Sequence, residues 1–393
     1  MKMERYARKF VSLISVKHPH VNAFVPGGIS RTWTAKEAAQ ALSMALTLSG
    51  FIKLVMAVWE DISNFLYSVG YEEAGARPAN LVAYGVLEDP EVYNAKYEDM
   101  TEWGDKKAFS PGVIVEGELV THDLKEIHLG VREYETSSFY GSWTSEFNED
   151  PEGNPLDKRH LWNKETYPNP QARDFLGKYS WSFSPRWFDK GTGEEYVLEA
   201  GPISRVYTTA LVGRSISSPF SEVKAGNGKI TVDLPKTKSE LLPPSLYDPV
   251  SFEWKVPTLS KNGVPYVNTI ERLRARAFSA VYYAAIALLD AYRVLAYISE
   301  GKTKLWTPFE RPKFSMGVGL VEAARGALGH WIVVKDEKIH RYQIITPTGW
   351  NISPKDAKER HGPIEEAIMG TPITEESDAD NWTGVDILRV VRS

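Results

Sequence analysis

Two long apolar segments constrain this chain more than any other feature of it. Thr34 to about Gly70 and Ile270 to Ser299 each run well past the three or four turns of an ordinary globular helix. Thr34 precedes Glu37 by three positions, the spacing of a capping box, and Gly70 supplies the stop. The second segment, RLRARAFSAVYYAAIALLDAYRVLAYIS, runs into Gly301. Neither has much polar surface in its middle third, so both are expected inside a helical bundle, and the fold is expected to be mainly α with small β-sheets. Gln40 to Trp59 has the length of a bilayer span and a single charge, Lys53. A mid-span lysine costs about 2.5–3.5 kcal/mol in lipid, and Ser43, Ser49 and Gly50 dilute the apolar run. A buried helix is therefore expected, not a transmembrane span.

The remaining sequence is punctuated differently. A short helix over Glu4 to Val16 should stop at Lys17-His18-Pro19-His20, because Pro19 cannot continue the ladder. From Arg77 to Arg205, Gly, Pro, Trp and Tyr are dense, and pieces such as VAYGVL and GVIVEGELV read as short strands between loops. Phe147 to Arg173 is rich in Pro, Asn and charge and reads as surface loop. WIVVKDEKIHRYQIITPT places two β-branched runs around Lys335-Asp336-Glu337-Lys338, a hairpin signal. The expected organisation is one domain over 1–393: a helical section at 1–76, loops and short strands at 77–205, a helical section at 206–301 and a hairpin section at 302–393.

Composition narrows the chemistry. None of the 393 residues is cysteine, which removes disulfides, thiolate metal ligands, cysteine nucleophiles and CxxC redox motifs from these residues. With 46 Lys+Arg against 51 Asp+Glu the net charge is −5, too mild to recommend a nucleic acid partner. The first residues, MKMERYARKFVSL, are basic but lack the apolar core of a secretory signal, so no export signal is expected, and the compartment is left open. The histidines show no HExxH: His18 and His20 flank a proline, and His122, His160 and His361 read as ordinary surface or core residues. Gly317-Val318-Gly319 lacks the third glycine of a dinucleotide loop.

The C-terminal stretch is more specific. GLVEAARGALGHWIVVKDEKIHRYQIITPTGWNISPKD, followed by GPIEEAIMGTPI and DILRVVRS, resembles the C-terminal region of nickel-iron hydrogenase large subunits, which carry a glutamate, two small residues, Arg-Gly-Ala-Leu, His-Trp, a hairpin and a Thr-Pro-x-x-Trp-Asn segment. KHPHVNAFVPGGI, LVAYGVLED, FSPGVI, KYSWSFSPRW and EAGPISRV look like further family segments in the same order, so the resemblance spans nearly the whole chain.

That resemblance implies a large-subunit fold and names site residues. In the family four cysteines, from an N-terminal and a C-terminal CxxC, hold nickel and an iron carrying cyanide and carbon monoxide; by alignment one pair would precede residue 1 and the other would follow Ser393. Arg325 matches the arginine over the metal pair, whose rigid fork of donors suits a cyanide acceptor. Thr348 matches a hydroxyl that bonds the other cyanide, with Pro347 shaping an apolar wall beside it. His330 matches the histidine of the Arg-Gly-Ala-Leu-x-His segment. The Leu328 carbonyl matches a hard-cation ligand, usable only beside partner ligands. Ala324 stands where the family commonly has proline, which loosens the approach to Arg325. Lys17-His18-Pro19-His20 and Pro26-Gly27-Gly28 resemble the face toward an iron-sulfur small subunit, with Ser30 and Arg31 in place of threonine and cysteine.

Three readings follow. The chain is a structural or assembly subunit of a hydrogenase-type redox complex, without its own metal ligands. Alternatively it is one piece of a split large subunit, in which a second chain carrying CxxC motifs completes the site for hydrogen oxidation or evolution. Or it is a repurposed small-ligand binding module. Partners implied are the iron-sulfur small subunit and, in the second reading, that second chain. No cofactor is expected in the isolated chain, and a nickel-iron centre only where a partner brings cysteines. In the plainest alternative, Arg325 pairs with a buried carboxylate and Thr348 caps a turn.

Overall fold

The computed structural model describes residues 2–134, 143–165, 184–371, 373 and 383–393. Its axis is a pair of long helices. The first, α2 (Ala35–Ser68), follows a short α1 (Lys2–Ser15), and begins at the expected capping box: the Glu37 amide donates to Thr34 Oγ1 at 3.2 Å, and the Thr34 amide donates to Glu37 Oε2 at 2.9 Å. A shorter helix, α3 (Pro202–Val212), precedes the second long one, α4 (Thr269–Ser299), which is capped by Asn268 accepting from the Glu271 amide at 2.8 Å. α2 and α4 pack along one another, and α3 lies against α4.

Sheets surround this pair. β1 (Leu81–Ala83), β2 (Gly112–Val115), β3 (Glu118–Thr121) and β4 (Glu199–Ala200) form one sheet, ordered β4-β1-β2-β3, with β4 parallel to β1. β5 (Ile216–Ser217), β6 (Glu222–Gly226), β7 (Lys229–Leu234) and β8 (Val250–Lys255) form an antiparallel sheet in sequence order. Along β7, alternation buries Ile230, Val232 and Leu234 against α4 residues Phe278, Val281 and Tyr282, making the larger core. β9 (Phe314–Ala323), β10 (Gly326–Lys335) and β11 (Lys338–Ile345) form a third sheet. It packs Trp331 with Trp162, Trp187 and Trp350 in a second core.

Several expectations need correction. Helix takes about 37% and strand about 26%, so the fold is mixed α/β, not mainly α, because short strands with period-two burial fill the space a bundle would need. The stretch 206–301 is helical only at its ends, since β5 to β8 lie between α3 and α4. The hairpin at 335–338 forms, but as the second turn of a three-stranded sheet. Phe147 to Arg173 is more than surface: Asp150, His160, Trp162 and Asn163 are buried, and residues 166–173 lie outside the described set.

The long helices are also less enclosed than expected. Both are long and apolar enough, by length and composition, to cross a bilayer. In α2, Lys53 is buried and donates to the carbonyls of Pro235, Leu246 and Asp248, which satisfies its charge inside the protein. The other side leaves Leu54, Val58, Ile62, Phe65 and Val69 exposed. α2 is thus buried on one face only.

Candidate functional site

The β9–β10 connection is a tight two-residue turn, as is the β10–β11 connection. Ala323 pairs with Gly326, leaving Ala324 and Arg325 as a two-residue tip. Gly326 has φ +124°, open to glycine and strained for any other residue. A Cβ there would stand 2.5 Å from the Gly201 nitrogen and 2.8 Å from the Ala200 carbonyl carbon. The tip is therefore seated on the loop that starts α3. Arg205, on α3 and fully buried, fastens it by donating from Nη2 to the Ala324 carbonyl at 2.8 Å and from Nη1 to Tyr283 Oη at 2.8 Å.

A second short element meets the first. α5 (Pro347–Asn351) begins at Thr346, whose hydroxyl accepts from the Gly349 amide, with Pro347 buried at the first helical position. Asn351 at its end exchanges two hydrogen bonds of 2.9 Å with the Ala200 backbone. α5 and the Arg325 tip are thus anchored to the same β4–α3 loop.

Between them lies a cavity of about 400 Å³, lined by Arg325, Thr348, Gly201, Glu199, Arg272, Arg276 and residues 390–393. Residues 390–392 belong to the terminal helix Val385–Arg392, which packs against Pro363–Ile368. The cavity's one lining acidic side chain among the described residues is committed. Glu199 takes Arg272 Nε at 2.7 Å and Nη2 at 3.0 Å, and Arg77 approaches at 3.5 Å. Burial opposes ionisation of Glu199, but the Arg272 and Arg77 guanidiniums outweigh it and hold the carboxyl below the usual range. Arg276 donates to the Ser393 carbonyl. Burial, then the Arg325 and Arg205 charges, lower its affinity for its own proton. The Arg325 guanidinium and the Thr348 hydroxyl are exposed into the cavity, and neither has a hydrogen-bond or ion-pair partner among the described residues. The cavity is net positive, with two free donors of different geometry.

The residues singled out from sequence divide accordingly. Arg325 and Thr348 come together, and the alternative in which Arg325 pairs with a buried carboxylate does not occur. The hydroxyl that caps the turn belongs to Thr346, not Thr348. Pro347 is buried at the start of α5 and Ala324 turns its carbonyl to Arg205, and neither lines the cavity. His330 sits five residues along β10, half-buried, with Nδ1 2.7 Å from Tyr342 Oη; burial lowers its pKa. Leu328 pairs with Val321 in the same sheet. Neither His330 nor Leu328 lines the cavity. Glu199, Arg205, Arg272, Arg276 and Glu322 were not singled out, although EAGPISRV contains Glu199 and Arg205, and Glu322 opens the Glu-x-x-Arg-Gly run.

The donor set does not fit a nickel-iron centre by itself. There is no thiol in the chain, and among the described residues no three His, Asp or Glu side chains gather where a metal ion could sit. A soft thiolate-bridged metal pair has no ligands here. What the residues do fit is the surround of an anionic group, through unpaired guanidinium and hydroxyl donors.

The segment resembling a small-subunit face is a latched loop. Trp306 Nε1 donates to the Pro26 carbonyl at 2.7 Å, the Ile29 amide donates to Leu305 O at 2.9 Å, and Arg31 pairs with Glu37 at 2.6 Å. Phe24, Trp306 and Phe309 are exposed around it.

Comparison with known proteins agrees with this architecture. The uptake hydrogenase large subunit of Rubrivivax gelatinosus is 35% identical over 229 residues, covering 56% of this chain and 33% of that one. The periplasmic NiFeSe hydrogenase large subunit of Desulfomicrobium baculatum is 26% identical over 406 residues, covering 100% of this chain and 62% of that one. This chain therefore spans between a third and two thirds of the length of these relatives. The solved actinobacterial-type NiFe-hydrogenase from Ralstonia eutropha H16 is similar at a TM-score of 0.88 and 38% identity, over 99% of this chain and 68% of that one. The nickel-dependent hydrogenase family model matches residues 1–393, and with the large-subunit fold beneath that match the chain belongs to the nickel-dependent hydrogenase family.

Proposed function

We propose that this chain is the cysteine-free portion of a nickel-iron hydrogenase large subunit: it builds the scaffold and the donor-lined wall of the metal site, and polypeptide outside these 393 residues supplies the thiolates. In a split subunit that polypeptide is a second chain with two CxxC pairs. One observation carries the reading: Arg325 and Thr348, at opposite ends of the β10–β11 hairpin, present unpaired donors to one cavity whose only lining acidic side chain among the described residues is already used. Unpaired donors held this way are expected of a wall awaiting an anionic group, and two pairs of thiolates with cyanide would be one. When bound, the nickel-iron centre would supply the redox chemistry of hydrogen; this chain's part is to position Arg325 and Thr348 around it. By itself the chain is not expected to turn hydrogen over. The latched loop at 24–31 and the exposed Phe24, Trp306 and Phe309 support an interface with an iron-sulfur small subunit.

The competing reading is a structural or assembly subunit with no active centre. Ala324 in place of the family's usual proline favours it, since it leaves the tip backbone less rigid. Arg325→Lys in the complex purified from its native cell separates the two. Lysine keeps the charge and loses the planar fork. The proposed role predicts a fall in hydrogen turnover on the order of 10²-fold with nickel content and thermal midpoint held, the size expected for one removed electrostatic donor. Unchanged turnover would leave the structural role.

A further inference from the structure

Three residues before Arg325, Glu322 is buried where a carboxylate is expensive. Its side chain is wholly enclosed, and Oε1 accepts from the Tyr84 amide at 2.7 Å. Oε2 stands 3.6 Å from Arg205 Nε, too far for a hydrogen bond, and both atoms are buried without a hydrogen-bond partner. The same Arg205 holds the Ala324 carbonyl with Nη2 and Tyr283 with Nη1. Glu322 is thus connected to the backbone next to Arg325 by two routes, the end of β9 and the guanidinium of Arg205.

We propose that Glu322, acting through Arg205, is a positioning residue for Arg325: ionised, it holds Arg205 on the tip, and taking up a proton from solvent it loosens that hold and shifts where the Arg325 fork stands in the cavity. The groups facing it are few. Arg205 comes from α3. Lys107, from the strand Lys107–Phe109, is buried and donates to the Tyr84, Gly85 and Leu320 carbonyls while pairing with Glu88 at 3.2 Å. From the segment after β1 come the Tyr84 amide and its buried phenol. α4 contributes Tyr283. Burial is the dominant influence on Glu322, outweighing Arg205 and Lys107, and lifts its pKa from the usual carboxylate range to about 7. A proton thus exchanges on this carboxyl near neutrality, next to a guanidinium that anchors the site.

The inference rests on the role given to Arg325 above, but it is tested without any turnover. Hydrogen exchange of the 320–331 backbone is followed by mass spectrometry on the purified chain from pH 6 to 8.5, corrected for intrinsic rates, with 222–255 as the internal control. The expected result is protection of 320–331 that rises at least threefold through a midpoint near 7 while the control stays flat. Glu322→Gln should abolish that rise and leave the segment at its low-pH protection, and Arg205→Lys should lower protection at every pH. A flat wild-type profile, or a Gln variant that keeps the wild-type rise, overturns the proposal whatever becomes of the metal-site reading. Should the Gln variant fail to fold, Glu322→Asp retains an acid on a shorter stem. It must keep a pH-dependent step, displaced from the wild-type midpoint; an Asp variant with no step, or with an undisplaced one, overturns it equally.

Discussion

Replacing Gly326 by alanine puts the seating of the Arg325 tip under direct strain. Two costs act at that position. Alanine at φ +124° is forced into a sparsely populated backbone region, worth about 1–3 kcal/mol. Its methyl would stand 2.5 Å from the Gly201 nitrogen and 2.8 Å from the Ala200 carbonyl carbon, backbone atoms that cannot swing aside as a side chain can. Overpacking of this kind costs about 1–3 kcal/mol more. The sum is roughly 2–6 kcal/mol. For a chain of 393 residues the unfolding entropy is about 0.8 kcal/mol per degree, so the thermal midpoint should fall by about 2–7 °C. The control is Gly319→Ala on β9, where an added Cβ meets nothing within 4 Å. It should be neutral or gain up to about 1 kcal/mol by restricting the unfolded chain. Scanning calorimetry on both variants reads the difference. A Gly326→Ala midpoint within 1 °C of wild type would refute the argument, because the tip would then not be pressed onto the β4–α3 loop.

Other consequences are as direct. Lys53→Met should destabilise by about 1–2 kcal/mol in a denaturant melt, because three part-buried carbonyls lose a charged donor. His128 and His160 are both fully buried, and burial holds both well below the usual imidazole range, His160 at about 3. Their contribution is whole above pH 6.5 and is lost as acid protonates them in the unfolded chain alone. Below pH 6.5 the pair should cost about 1.4 kcal/mol per pH unit for each imidazole, and His160→Asn should remove half of that added slope in melts at pH 6.5 and 5.5. Arg272→Met strands Glu199 beside the cavity with only the longer Arg77 contact, and should cost about 3–5 kcal/mol, read as a lowered denaturation midpoint.

Local signals in the sequence carried their own elements far. The Thr34–Glu37 box needs only residues three apart, and the helix it opens starts there; the Pro19 break and the 335–338 turn are equally local, and each forms where the residues place it. Family likeness pointed to Arg325 and Thr348, and both line the cavity, although Ala324 departs from the family pattern beside Arg325. Pairing of distant segments was beyond such reading. β5 to β8 are short runs whose strand character depends on burial against α4, so propensity alone left them inside a helical section. The loop around Trp162 looked solvated by composition, yet its indole donates to Gly317 at 3.0 Å and its ring fills the second core. The cavity is the clearest case. Arg325 and Thr348 were separately legible, but their freedom from partners depends on Glu199, more than a hundred residues upstream, being taken by Arg272 and Arg77. Which guanidinium is spent and which is left open is settled by the packing of α4 and β4, because charge pairing in a buried site depends on distance through space, and sequence separation carries no such distance.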